Sequence, residues 1–307
     1  TVGSPANAAD QSTGGIYGTV AAPYRLGTYE VTIGQYAEFL SSVAAEADPY
    51  GLYSVSMGTN RNVAGILQSP VDGGFAYSVL DPAGTNPADH VSAADRPITF
   101  VSWFDAARFA NWMANGQPSG EQTTGTTEDG AYPLAGGTSG TPPARNATNP
   151  NTGLAVTYWL PTEDQWYKAA FFNPTLNAGA GGYFTYAMGS STTPGNTLGS
   201  AANQANYRLG GTTFSVTQSS SQSSSQNYLT DVGAFSGSRS PLGTFDQSGN
   251  VWEWTDFVVH DPDASTRTVR GGGWTSNATQ ISSAGRLDVS TAQETRDYGF
   301  RLASGIN

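Results

Sequence analysis

The stretch Gly243 to Asp256, GTFDQSGNVWEWTD, gathers the residue types best suited to chemistry in this chain. Asp246 and Glu253 supply hard anionic oxygens. The Ser248-Gly249-Asn250 turn between them lets backbone carbonyls point inward, the way calcium collects its about six to eight oxygen ligands. Trp252 and Trp254 flank Glu253, and a carboxylate between two core tryptophans needs a partner in any case. The stretch therefore predicts a cation site. The alternative is a Glu253 that only accepts hydrogen bonds inside the fold.

Residue counts remove most other chemistry. With 0 cysteines the chain has no disulfide framework, no thiolate metal site and no cysteine nucleophile. Its 2 histidines, His90 and His260, are too few for a three-histidine metal site. Both stand in loop-like stretches, where a solvated side chain is the expectation. Gly271-Gly272-Gly273 after Arg270 lacks the Lys-Ser/Thr of a phosphate loop and reads as close backbone packing beside Trp274. Arg270, Arg286 and Arg301 read as buried-pair arginines of the fold.

Composition bounds the partners. The net charge of −11 and the lack of any Lys/Arg run argue against nucleic acid and anionic membranes, which both need a basic face. No apolar run approaches the ~20 residues of a membrane helix. The opening TVGSPANAADQSTGG reads as the start of a mature chain whose leader has gone, and low charge with Ser/Thr/Asn/Gly-rich loops suits an exported bacterial protein. The sequons at Asn146 and Asn277 carry no weight in so Thr/Asn-rich a chain.

Three short helices must position these residues. Thr32 with Gln35 and Thr162 with Gln165 have capping-box spacing, and Ser102 with Asp105 repeats it. Ile33, Tyr36, Leu40 and Val43 then recur at helical spacing, as do Trp103, Ala106, Ala110 and Met113, with Gly116 as a stop. Residues 153–160 and 267–274 read as strand-like. Residues 117–151 and the Ser/Gln tract 218–227 read as mobile. The expected organisation is an N-terminal extended segment, 1–23, and a single compact domain, 24–307.

In order, the chain carries YEVTIGQYAEFL, RPITFVSWFDAARFANW, YWLPTEDQWYKAA, ANYR, GTFDQSGNVWEWTD, VRGGGW and YGFRLA. This series, from about Tyr24 to Ala303, resembles the formylglycine-generating-enzyme (sulfatase-modifying factor) domain family. The GSPANAAD opening is similar to exported bacterial members, which usually end in a short Pro-Glu-Pro sorting tail beyond GFR. The resemblance implies an α+β, C-type-lectin-like fold with low regular content and long loops. It also implies an oxidase that uses two cysteines and copper. Here the segment between RGGGW and GFR has no cysteine, and hydroxyls do not bind copper(I) as thiolates do. The related iron-dependent sulfoxide synthases need several histidines.

The family's second calcium site, carried over by position, falls on the side chains of Asp246 and Glu253 and the carbonyls of Gly249 and Val251. Its first falls on Asn206 and Tyr207, but its later positions, near Ser224 and Gln226, hold no acid. The expectation is a structural Ca2+ in a non-catalytic secreted or cell-surface protein. Such a protein would bind an extracellular protein or glycan, or associate with itself. Two alternatives stand beside it. One is a cysteine-independent enzyme using acids such as Asp288, Glu294 or Asp297. The other is a variable recognition protein displaying Thr275 to Tyr298, including Thr279, Ser282 and Ser283. Asn277, Arg286 and Asp288 are the candidate ligand contacts.

Overall fold

Helices form where the capping residues placed them. The computed structural model describes residues 1–80, 93–256 and 265–306, so His90 and His260 lie outside the described residues. Helix α1 (Ile33–Val43) starts at Thr32, whose hydroxyl accepts from Gln35 N while Gln35 Oε1 accepts from Thr32 N. A short α2 (Ser56–Thr59) follows. Helices α3 (Trp103–Ala114) and α4 (Glu163–Phe171) repeat the reciprocal cap at Ser102/Asp105 and Thr162/Gln165. Each of these three caps satisfies two amides that the first helical turn leaves open.

Strands are short, and the sheets they form are small. One sheet orders Arg286–Ser290, Thr266–Arg270, Trp252–Trp254 and Tyr298–Gly299, antiparallel except for the last pair. A second pairs Ala303–Ser304 between Arg25–Leu26 and Tyr158–Trp159. A hairpin, Ile66–Val71 with Gly74–Val79, turns at Asp72-Gly73, where Gly73 takes φ 80°. The sequence reading did not include this hairpin. The main core lies between α1, α3 and the two sheets, with Phe39, Phe109, Trp112, Trp254 and Phe300 all buried.

The two stretches expected to be mobile are instead tied down by side-chain amides. Asn62 Nδ2 donates to Ser223 O and Gln226 O at 2.8 Å, and its Oδ1 accepts from Gln222 Nε2. Within 117–151, Asn111 Nδ2 holds Thr127 O and Tyr132 O, Asn149 Nδ2 holds Ala114 O, and Arg108 forks onto Glu128 at 2.7 and 2.9 Å. Composition signals a lack of apolar surface here. It does not signal polar side chains that satisfy loop carbonyls from a distance.

The N-terminal segment also packs on the domain. Val2, Ala6 and Asp10 bond the backbone of Tyr24, Val20 and Tyr17. Tyr167 donates its hydroxyl to Asp10, Gly18 N donates to Asp164, and Lys168 donates to Ser4 O at 2.7 Å. Burial brings the Lys168 ammonium down to about 8.

Candidate functional site

The Asp246–Glu253 loop enters a strand through left-handed backbone at Asp246 (φ 62°), Gly249 (φ 114°) and Asn250 (φ 62°). Asp and Asn tolerate this conformation better than other side chains, and Gly249 has no alternative, because a Cβ there would lie 2.5 Å from Asn206 O. Trp252 and Trp254 are buried on either side of Glu253.

Three carboxylates gather around one guanidinium. Arg301 donates from Nε to Glu253 Oε2 at 2.5 Å and from Nη2 to Glu253 Oε1 at 2.7 Å, while Trp166 Nε1 donates to Oε2 at 2.8 Å. Arg301 also holds the carbonyls of Gly27, Thr28 and Phe245. Asp246 Oδ2 accepts from Gly233 N. Glu30, 2% exposed, lies 3.7 Å from Arg301 Nη2 and has no hydrogen-bond donor on Oε2. Fully ionised, the group carries two uncompensated negative charges. Burial, then the neighbouring Asp246, pushes the Glu30 carboxyl well above the usual range. Burial likewise pushes Asp246 up to about 6.

Calcium meets part of what it needs here. Hard oxygens, an excess of negative charge and a donor-free buried Glu30 oxygen suit a divalent cation. A space of about 10 Å³, bordered by Asp246, Ser248, Thr244 and Gln204, has room for one water-sized particle. Glu253, however, is committed to Arg301 and Trp166. Among the described residues no three carboxylates or histidines are disposed to share a metal. Glu30 is the site residue that the sequence reading missed. No local pattern signalled it: Tyr29 is 40% exposed while both Glu30 and Val31 are buried, so the segment does not alternate.

The positions carried over for a first calcium site use their donor groups inside the fold. Asn206 Nδ2 donates to Tyr228 O and to Asn250 Oδ1, and the Tyr207 hydroxyl donates to Pro194 O. The arginine reading holds, since Arg270 pairs with buried Glu163 and Arg286 with Glu163 and Asp288.

The segment between RGGGW and GFR is largely spent on its own packing. Ile281 is buried, Ser276 Oγ accepts from Gly273 N, and Ser282 Oγ donates to Thr279 O. Asn277 Oδ1 accepts from Thr279 N and Gln280 N. Arg286 and Asp288 lie together on the edge strand and bond each other, whereas the side-chain hydrogen bonds of Asn277 go to Thr279 and Gln280. Asp297 accepts the hydroxyls of Thr275 and Thr295, and Glu294 is exposed. Cavities of about 520 and 610 Å³ open elsewhere, and neither is lined by residues 275–298.

A family model for the sulfatase-modifying factor enzyme 1-like domain matches residues 8–306. Among solved structures the chain is similar to CarF, at 19% identity and TM-score 0.50 over 100% of this chain and 95% of that one. It is also similar to PvdO from Pseudomonas aeruginosa (16%, TM-score 0.47, over 94% and 82%) and to Treponema denticola variable protein 1 (18%, TM-score 0.45, over 92% and 84%). No curated protein matches. The small mixed sheets, few helices and CarF-like course of the chain make this the expected α+β, C-type-lectin-like fold. No helix among the described residues is long and apolar enough to cross a membrane.

Proposed function

The chain belongs to the sulfatase-modifying factor enzyme 1-like domain family, and we propose that it is a non-catalytic, secreted or cell-surface member whose scaffold serves extracellular binding or assembly. One observation carries the reading. The segment where relatives keep their reactive sulfur holds no cysteine, and its hydroxyls and buried Ile281 close local turns and fill the core. Hydroxyls bonded to backbone, with no histidine or other base beside them among the described residues, offer neither a soft copper ligand nor an activated nucleophile. The partner is an extracellular protein or glycan, or a second copy of the chain. A structural calcium at Asp246 and the carbonyls of Gly249 and Val251 would compensate the charge that Arg301 leaves over.

The test is incubation of the purified chain with copper, molecular oxygen and a cysteine-containing sulfatase-type peptide, read by mass spectrometry. The peptide is expected to keep its thiol mass. Oxidation of that cysteine at a rate above the protein-free control defeats the reading.

A further inference from the structure

The cavity of about 520 Å³ between the start of α1 and the end of α3 lies in the size range of small-ligand sites. Its floor is apolar, from Leu26, Met113 and Leu302 over the core pair Phe109 and Trp112. On the rim stand Arg25, Tyr29, Glu38, Gln117 and Tyr158. Among the described residues, none of these five side-chain heads has a hydrogen-bond or ion-pair partner, whereas the asparagines that tie the loops are bonded at both ends.

Two rim features are held in place at a cost. The Tyr29 ring is 40% exposed yet fixed: it packs against Phe245 at 5.5 Å, tilted by 32°, and lies on Gly233, where a Cβ would come within 2.6 Å of it. An exposed aromatic face that is already ordered loses little freedom when it binds. Gln117 adopts φ 60°, a left-handed conformation that favours glycine, directly after Gly116 at φ 83°. Its backbone N–H donates to Trp112 O at 2.9 Å, and its side chain lines the cavity.

Resting on the binding reading above, we propose that this cavity binds a neutral saccharide unit. On the rim one guanidinium, Arg25, is set against one carboxylate, Glu38; buried Glu30 adds a second carboxylate to the lining, and a molecule of net charge −11 repels polyanions. Planar guanidinium, carboxylate and amide groups each present paired donors or acceptors that match neighbouring ring hydroxyls. Tyrosine faces pack against the apolar C–H face of a sugar ring while their hydroxyls stay wet.

The experiment titrates the full chain with maltotriose, cellotriose and the N-acetylglucosamine trimer, with a chondroitin sulfate tetrasaccharide as anionic probe, by saturation-transfer NMR and calorimetry. At least one neutral trisaccharide is expected to bind with a Kd of about 0.1–1 mM. Tyr29→Ala and Gln117→Gly should each weaken it about tenfold or more. Gln117→Gly relieves the backbone strain, so its loss of binding comes with an unchanged or higher melting temperature and is not misfolding. Absence of neutral-saccharide binding at about 10 mM overturns the proposal, as does binding of the anionic probe alone. Binding that survives both substitutions also overturns it, but leaves the broader binding reading in place. Peptide oxidation would defeat that reading and not the pocket.

Discussion

Arg301→Met removes the one cation that, among the described residues, faces Glu30, Asp246 and Glu253. The guanidinium is fully buried and makes two bonds to Glu253 and three to the carbonyls of Gly27, Thr28 and Phe245. Methionine keeps much of the volume, so the loss is mainly electrostatic. Removing one partner of a buried pair leaves the other charge uncompensated, at about 3–5 kcal/mol. Glu253→Gln alone should cost a similar amount, because it strands the guanidinium. In the double variant the two losses overlap, and the coupling energy from a double-mutant cycle should reach about 2 kcal/mol or more. Urea titrations followed by tryptophan fluorescence measure all four corners, with near-ultraviolet dichroism checking that each folds. Additive single losses, or an Arg301→Met loss below about 1 kcal/mol, would show that this guanidinium is not what balances the cluster.

At about 1 mM calcium, a site of extracellular affinity, Kd about 0.1–1 mM, stabilises by roughly 0.4–1.4 kcal/mol, so a chelator should lower the melting temperature and magnesium should not restore it. Calorimetry without a calcium heat and melting indifferent to chelator count against the bracing ion. Asn62→Ala deletes three bonds to the Ser/Gln tract and should cost about 2–3 kcal/mol while opening residues 218–227 to limited proteolysis; an intact tract under protease contradicts the clamp. Burial pushes buried Asp105 up to about 6 from its ordinary 3.8, so its stabilising contribution is full below about pH 4 and is lost as pH rises through about 6. Two units at about 1.4 kcal/mol each make about 3 kcal/mol. Asp105→Asn keeps an acceptor for Ser102 N, so denaturation curves should show it gaining on the parent by about that much from pH 4 to 7, and parallel pH profiles would refute the assignment.

What the sequence made legible was local. A capping box is complete within four residues, so Thr32, Ser102 and Thr162 marked their helices to the residue. Strand-like character at 153–160 and 267–274 gave strands only at Tyr158–Trp159 and Thr266–Arg270, because pairing depends on partners far along the chain. The Asp72-Gly73 turn between apolar runs, like Gly210-Gly211 between Arg208–Leu209 and Thr213–Phe214, was a hairpin signal open to sequence reasoning, and both went unused.

The candidate site divides in the same way. Asp246 and Glu253 announce themselves by proximity in sequence, whereas Arg301 and Glu30 join them only through folding. That difference changes the chemistry assigned to the loop. Two acids alone call for a divalent cation, but two acids with an arginine on one of them are already half neutralised. The remaining demand comes from Glu30, which no local pattern links to the loop. A carboxyl there, without a donor on Oε2, must keep its proton or find a cation, and each choice has a cost that a glutamine would avoid. An acid at that point is what the proposed bracing calcium would use. Glu30→Gln should raise stability in chelator and lower the calcium increment, and a variant that leaves both unchanged would reduce Glu30 to packing.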